Sequence, residues 1–436
     1  MTAPEHLRIT GPEDILGFIP HSLGYWPAHS LVAMTLQGKR LGATLRVDLP
    51  GEAGSADRTG PAGLPTFARS IASYLEADKD ADGSLLVLFT ETDGDGAPWA
   101  ELLSELESAL GDAGMPVRDA WLVGAEYWRN AYCVDPSCCA PPGRPVEEIR
   151  NSRLNAEMVF RGSTVGPAPG TAPRTPPPEA ADPAVLEAEG EWDRLFAGCT
   201  RDRRQFRQVL DVWARVLHRP APGPKLAAEL TGYLRASLCV PPWRDAVLVM
   251  AAAGPEAAAR GAEDFGVFDG TTPRPAWARS LPGSATPRRP LAPLPPLEGF
   301  PPLSPPPSPP PGHGNEGSGG GSGGSPPPEV PGYGEVLLGL APPLPDWILM
   351  ARLDRVLEQL GNAGGEAGAA ALTGRGWIEW CRGKGSFADA LFSRAIEEHP
   401  GYRLAELLGE LVRRGTLCGW AGRREAAWQR FEPDVA

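Results

Sequence analysis

Ser84-Leu-Leu-Val-Leu-Phe-Thr90 is an unbroken apolar run of strand length. A strand with no polar face has to be covered on both sides, so this run predicts the middle of a layered sheet. Downstream, Trp99, Leu102, Leu103, Leu106 and Leu110 recur at i, i+3, i+4 and i+7, the spacing of an amphipathic helix. Gly114 and Pro116 end it, and Val117–Val123 is a second apolar run. Strand, helix and strand with short connections predict a parallel βαβ unit with a right-handed crossover. Upstream, Phe67, Ala68, Ile71, Ala72 and Leu75 mark another helix. Before it, Leu31–Leu36 and Leu41–Leu49 are joined by a short turn at Gly38, and Leu45, Val47 and Leu49 alternate with Thr44, Arg46 and Asp48. That period of two predicts an antiparallel hairpin. Thr10 and Glu13 stand in capping-box relation with Pro12 in the first turn, which predicts an opening helix that Pro20 ends. Residues 1–161 are therefore expected to form an α/β domain whose mixed sheet combines a β-hairpin with a βαβ unit.

Beyond this domain the composition changes. Residues 162–190 form a Pro/Ala-rich linker, and a helical segment follows over 191–275. Its stripes are Phe206, Val209, Leu210, Trp213, Val216 and Leu217, then Leu226, Leu230, Tyr233, Leu234 and Leu238, with a third helix starting near Pro242 and running to Met250. Leu281–Pro331 holds 18 Pro and 10 Gly in 51 residues. Such a stretch buries too little apolar surface to offset its ordering entropy, so 276–335 is expected to be a disordered spacer. The tract Pro305–Pro311 is the alternative there, as a docking site for an SH3-like partner. Residues 336–436 return to helix. Leu372, Gly376, Gly383, Ala388, Phe392, Ala395 and Pro400 fall on the spacing of a tetratricopeptide-like helical hairpin, although Glu379 and Gly385 stand where aromatics are usual.

Charge and cysteine usage narrow the function classes. A formal charge of −13 and a pI near 5.1 disfavour a general nucleic-acid or anionic-membrane binder. No run approaches 18 apolar residues, and Met1–Thr10 has no basic segment followed by an apolar one, so no membrane span and no secretion signal are expected. Seven cysteines, an odd number, fit a reducing compartment better than a disulfide framework. The expected location is the cytoplasm.

Five motifs recur in a recognisable order: Asp14-Ile-Leu-Gly-Phe-Ile-Pro20, Leu23-Gly-Tyr-Trp-Pro27 with Ser30-Leu-Val32, Arg46-Val-Asp-Leu-Pro50, Tyr132-Cys-Val-Asp-Pro-Ser-Cys-Cys139 with Pro141-Pro-Gly143, and His399-Pro-Gly-Tyr-Arg-Leu-Ala-Glu-Leu-Leu408. In these the chain resembles an actinobacterial family, domain of unknown function 4192. The resemblance implies a bacterial cytoplasmic setting and brings no activity with it. His21 and His29 fall outside the family's pattern.

Two places carry the chemistry that the residues suggest. Cys133, Cys138 and Cys139 cluster within seven residues. A zinc site would need a distant fourth ligand such as His21, His29 or Asp135, because structural zinc draws on C-x2-4-C knuckles and the spacing here is C-x4-C-C. Thiol reactivity and a structural turn at Asp135-Pro136 are the other readings, and no metal-ligand set is assigned. The second place is the hairpin. Arg46 and Asp48, two apart on one strand, point the same way, and with Ser30 they form a candidate pocket in which Arg46 binds an anion and Asp48 acts as base or acceptor. Tyr25, Trp26 and Pro27 form a lid or pack on the sheet. The acidic loop Glu91–Gly96 lacks the ligand order of a calcium site. No G-x-G-x-x-G follows the Ser84 strand, G-x-x-x-x-G-K-[ST] and H-E-x-x-H are absent, and G-x-S-x-G occurs only inside the Gly/Ser run, at Gly320–Gly324, so the common nucleotide and hydrolase mechanisms have no local signature and the cofactor is unknown. Whether the chain is an enzyme stays open at this level. A binding or regulatory module that docks a protein partner through its helical part leads, a small-molecule enzyme working at the strand ends is the rival, and a thiol or zinc sensor is third.

Overall fold

The structure, a computed structural model, describes residues 9–50, 63–90, 93, 97–133, 135, 142–171, 182–219, 225–268, 290–297, 299–300 and 330–429. It divides into two compact units, Met1–Ala172 and Pro173–Trp428.

The first unit is built on β1 (Ser30–Gln37), β2 (Arg40–Asp48), β3 (Gly83–Phe89), β4 (Val117–Val123), β5 (Tyr127–Asn130) and β6 (Arg144–Pro145), in the order β2-β1-β3-β4-β5-β6. β1 is antiparallel to both β2 and β3, and β3 is parallel to β4, so hairpin and βαβ unit join in one mixed sheet. The two crossover helices are α2 (Leu64–Leu75) and α3 (Ala100–Asp112). Both crossovers, from β2 to β3 and from β3 to β4, advance the same way across the sheet. Connections of one hand then put both helices on one face. Accordingly Ala68, Ile71 and Leu75 of α2 and Leu102, Leu106 and Leu110 of α3 share a core with Leu31, Ala33, Leu86, Leu88, Ala120 and Leu122.

Residues of the opposite parity, Val32, Met34, Leu85, Val87, Phe89, Trp121 and Val123, face the second core. That face is covered by α1 (Pro12–Leu23) and by α4 (Glu147–Arg150), which leads into α5 (Arg153–Phe160). Gly17 allows the close approach of α1, since a Cβ there would lie 2.6 Å from Ser152 Oγ and 3.2 Å from Ile149 O. The ends of α1 differ from expectation. Its N-cap is Gly11, and the Thr10 hydroxyl and N–H donate instead to Asp14 Oδ2 at 2.6 and 2.9 Å. Pro20 lies inside the helix, which continues to Leu23 and stops at Gly24 with φ 92°. An interior proline costs a helical hydrogen bond. Here the last turn is held from outside, because the buried His21 sets Nδ1 2.9 Å from Ser163 Oγ and Nε2 2.8 Å from Asn155 Oδ1. Ser163 and Gly166, which forms a bridge with Tyr25, thus belong to this unit although composition places them in a linker.

In the second unit α6 (Pro183–Phe196) begins inside the stretch 162–190, with Asp182 as N-cap and Pro183 in the first turn. It is followed by α7 (Arg203–Leu217), α8 (Ala228–Leu238), α9 (Pro241–Asp264), α10 (Tyr333–Leu337), α11 (Trp347–Gly361), α12 (Gly365–Cys381), α13 (Gly385–Glu398) and α14 (Arg403–Arg413). One core runs through them from Trp192 to Ala426, so the helical residues on either side of the proline-rich stretch form a single body. α9 is longer than the sequence predicts and breaks at Gly254, φ 88°, before Pro255. Buried Arg235 donates to the carbonyls of Leu360 and Gly364, terminating α11, and its Nε lies 2.6 Å from Glu189 Oε2. α12 and α13 pack closely, with a Gly376 Cβ only 2.5 Å from the Phe392 ring and Ala388 and Ala395 fully buried. Among the described residues no helix is long and apolar enough to cross a membrane.

Candidate functional site

Strand register brings Ser30, Arg46 and Asp48 together. Ser30 opens β1 opposite Asp48 at the end of β2, and Arg46 stands opposite Val32, so all three belong to the face that α1 covers. Arg46 Nε donates to Ser30 Oγ at 2.8 Å, and Nη2 lies 2.5 Å from Asp48 Oδ1. Ser30 Oγ donates to Ala28 O at 2.6 Å, so its proton is committed to a backbone carbonyl while its lone pairs face a guanidinium. That is the reverse of an activated nucleophile, whose proton must face a base. Arg46 is 17% exposed and Asp48 80%. The trio works as a clamp across the open end of the hairpin, next to His29 with its left-handed φ of 46°. Trp26 meets Phe89 edge-on at 6.1 Å and carries the Arg150 guanidinium 5.2 Å from its ring, so it packs on the sheet.

Cys133 lies elsewhere. It follows β5, which β1, β3 and β4 separate from β2, a distance of roughly 19 Å at the usual strand spacing. Its N–H donates to Asn130 Oδ1 at 3.0 Å and its carbonyl accepts from Arg129 Nη2 at 3.3 Å. Cys138, Cys139 and the Pro305–Pro311 tract lie outside the described residues, as does the loop Glu91–Gly96 apart from Asp93. Among the described residues no three His, Cys, Asp or Glu side chains are placed to hold a metal ion.

A third arrangement was not foreseen from the sequence. Residues 290–297 and 299–300, within the stretch 276–335 expected to be disordered, lie without helix or strand against the second unit. Ala292 belongs to its core, and Leu297 and Phe300 pack on it. The attachment is made by α7. Ala292 N–H donates to Gln205 Oε1 at 2.8 Å, and Gln208 Nε2 donates to Ala292 O at 2.9 Å and Pro293 O at 3.1 Å. Gln205 and Gln208, one helical turn apart, thus take both main-chain groups of one residue. At the other end the Arg219 guanidinium stacks 4.9 Å from the Phe300 ring. Between these two ends the segment turns, with Phe300 N–H donating to Leu297 O at 3.2 Å and Gly299 at φ 79°. Cys199 lines the same place; burial pushes its thiol up, and the Ala292 N–H partly opposes this.

The signal for this segment is a period of three instead of 3.6 or two. Pro290, Pro293 and Pro296 are exposed, Ala292 and Pro295 are buried, and Leu291, Leu297 and Phe300 are half-buried. The second signal is a pair of glutamines at i and i+3 beside the apolar stripe of α7; Gln205 is fully buried.

Compared with known proteins, the chain matches the family described as domain of unknown function (DUF4192) over residues 12–264 and 350–417. No curated protein and no solved structure matches it.

Proposed function

Because the chain belongs to the DUF4192 family, whose description names no activity, its function has to come from its own residues, and we propose that it is a binding protein whose helical unit takes extended polypeptide as ligand. The observation behind this reading is the pair Gln205 and Gln208, whose side chains take the N–H and the C=O of Ala292. Side-chain amides that engage both main-chain groups of a residue recognise an extended chain as such. The rival, an enzyme at the strand ends, has less behind it. The Ser30 proton is committed to Ala28, and both crossover helices lie on one face, so the described sheet lacks the reversal at which open α/β sheets form their ligand crevice.

The test displaces the resident segment and offers it back. A full-length chain carrying Ala292→Asp and Pro295→Asp, checked for folding by circular dichroism, is titrated with a labelled peptide of the native 288–300 sequence. Saturable anisotropy that disappears on adding Gln205→Ala and Gln208→Ala supports the reading. No binding to the folded variant overturns it.

A further inference from the structure

The docked segment also defines what kind of chain the α7 groove accepts, an inference that rests on the peptide-binding reading above. We infer that the groove is a site for polyproline II segments, read at every third residue, and that residues 290–297, followed by the Phe300 anchor, are its resident occupant in cis. A polyproline II helix has three residues per turn and hence three faces. One face, Pro290, Pro293 and Pro296, is exposed and unread. The second, Ala292 and Pro295, is buried. The third, Leu291, Leu294 and Leu297, is half-buried at its two ends, with Leu297 packed on the core, and 58% exposed at Leu294; a turn at Gly299, φ 79°, then sets Phe300 on the core.

Each face sets a rule for a ligand. The residue at the position of Ala292 must be small, because it is buried, and cannot be proline, because its N–H goes to Gln205 Oε1. Three residues on, the buried position takes proline. Positions 297 and 300 are apolar, the latter aromatic beneath Arg219. Positions 290, 293 and 296 are exposed and serve by holding the chain extended. The partner is thus a proline-rich segment with one small non-proline residue three before a proline. Gln205 Nε2 is buried without a hydrogen-bond partner among the described residues, a donor that the resident segment leaves unused. The resident segment competes at the high effective concentration of a tethered ligand, so an incoming chain meets a covered site.

Peptides of the 288–300 sequence, titrated into the folded full-length Ala292→Asp, Pro295→Asp chain, test the periodicity. Relative to the native peptide, Ala292→Pro and Pro295→Ala should each weaken binding by about tenfold or more. Pro290→Ala and Pro296→Ala should each cost less than about fivefold, the loss of preorganisation alone. The unaltered chain should bind the native peptide at least about tenfold more weakly than the displaced chain. Equal effects at all four positions would overturn the period-of-three rule while leaving peptide binding intact; no peptide binding at all would remove both. Should the displaced chain not fold, the unaltered chain supplies the test. Excess native peptide should then speed hydrogen exchange at the Ala292 amide and the Ala292→Pro peptide should not, and equal action of the two peptides overturns the inference.

Discussion

Gly232→Ala should destabilise the helical unit and Gly190→Ala should stabilise it, although both add one methyl to the same pair of helices. Gly232 sits where α8 crosses α6. A Cβ there would lie 2.6 Å from Ala188 Cβ, 2.6 Å from Glu189 N and 2.8 Å from Ala188 C. Two of those atoms are main chain, so no side-chain rotation relieves the overlap. Ordinary carbon contacts of about 3.5–4.0 Å would require the helices to retreat by about 1 Å. The same interface holds Trp192 and Phe196 at 4.9 and 5.2 Å from Tyr233, and the Arg235–Glu189 ion pair. Overpacking of this kind costs about 1–3 kcal/mol, and the better helix propensity of Ala returns about 1 kcal/mol. With main chain as the obstacle, a net loss of about 1–2 kcal/mol is expected, a fall of roughly 2–8 °C in the transition of a unit this size. A Cβ on Gly190 meets nothing within 4 Å, so only the propensity gain of about 0.5–1 kcal/mol remains. Calorimetry on the full chain measures both. A Gly232→Ala transition at or above the wild-type temperature would refute the close crossing of α6 and α8.

Three further outcomes are expected. Burial alone would raise the Asp14 carboxyl, but hydrogen bonds from the Thr10 hydroxyl, Thr10 N–H and Leu154 N–H outweigh it and hold the group below its ordinary value. Its stabilisation is therefore complete above the unfolded value near 4 and lost as pH falls through the lower native value; Asp14→Asn should cost about 1–3 kcal/mol at neutral pH and remove this part of the acid sensitivity in urea titrations between pH 3 and 7. Arg235→Met uncaps Leu360 and Gly364 and leaves Glu189 unpaired, so about 3–5 kcal/mol should be lost in chemical denaturation, and Arg235→Lys should restore little, because one ammonium cannot span the same acceptors. Arg46→Met should cost only about 1 kcal/mol by thermal unfolding, since Asp48 is 80% exposed, and leave peptide binding unchanged.

The sheet was legible because its signals are local. The unbroken run at Ser84–Thr90 is the buried β3, and the alternation of Leu45 and Val47 with Arg46 and Asp48 is the two-faced β2. β5 and β6 were not, since Tyr127–Asn130 and Arg144–Pro145 are too short to show a period and are defined by main-chain pairing. The grouping of Ser30, Arg46 and Asp48 followed from strand parity, whereas its character as a clamp depends on the Ser30 bond to Ala28, which no pattern reveals. The α7 groove was hidden for two physical reasons. An extended proline-rich chain has no helix or strand period to read, and here it buries Ala292 and Pro295, residue types that also make a spacer. Its partners, Gln205 and Gln208, lie more than 80 residues away in sequence.

Hydrogen exchange at the Ala292 amide in the full-length chain tests the central claim most directly. If α7 grips an extended proline-rich segment, this amide is protected relative to a free 288–300 peptide, and Gln205→Ala abolishes the protection while the helical unit stays folded and loses about 1–3 kcal/mol of stability at most. Exchange at the free-peptide rate in the unaltered chain would contradict the account.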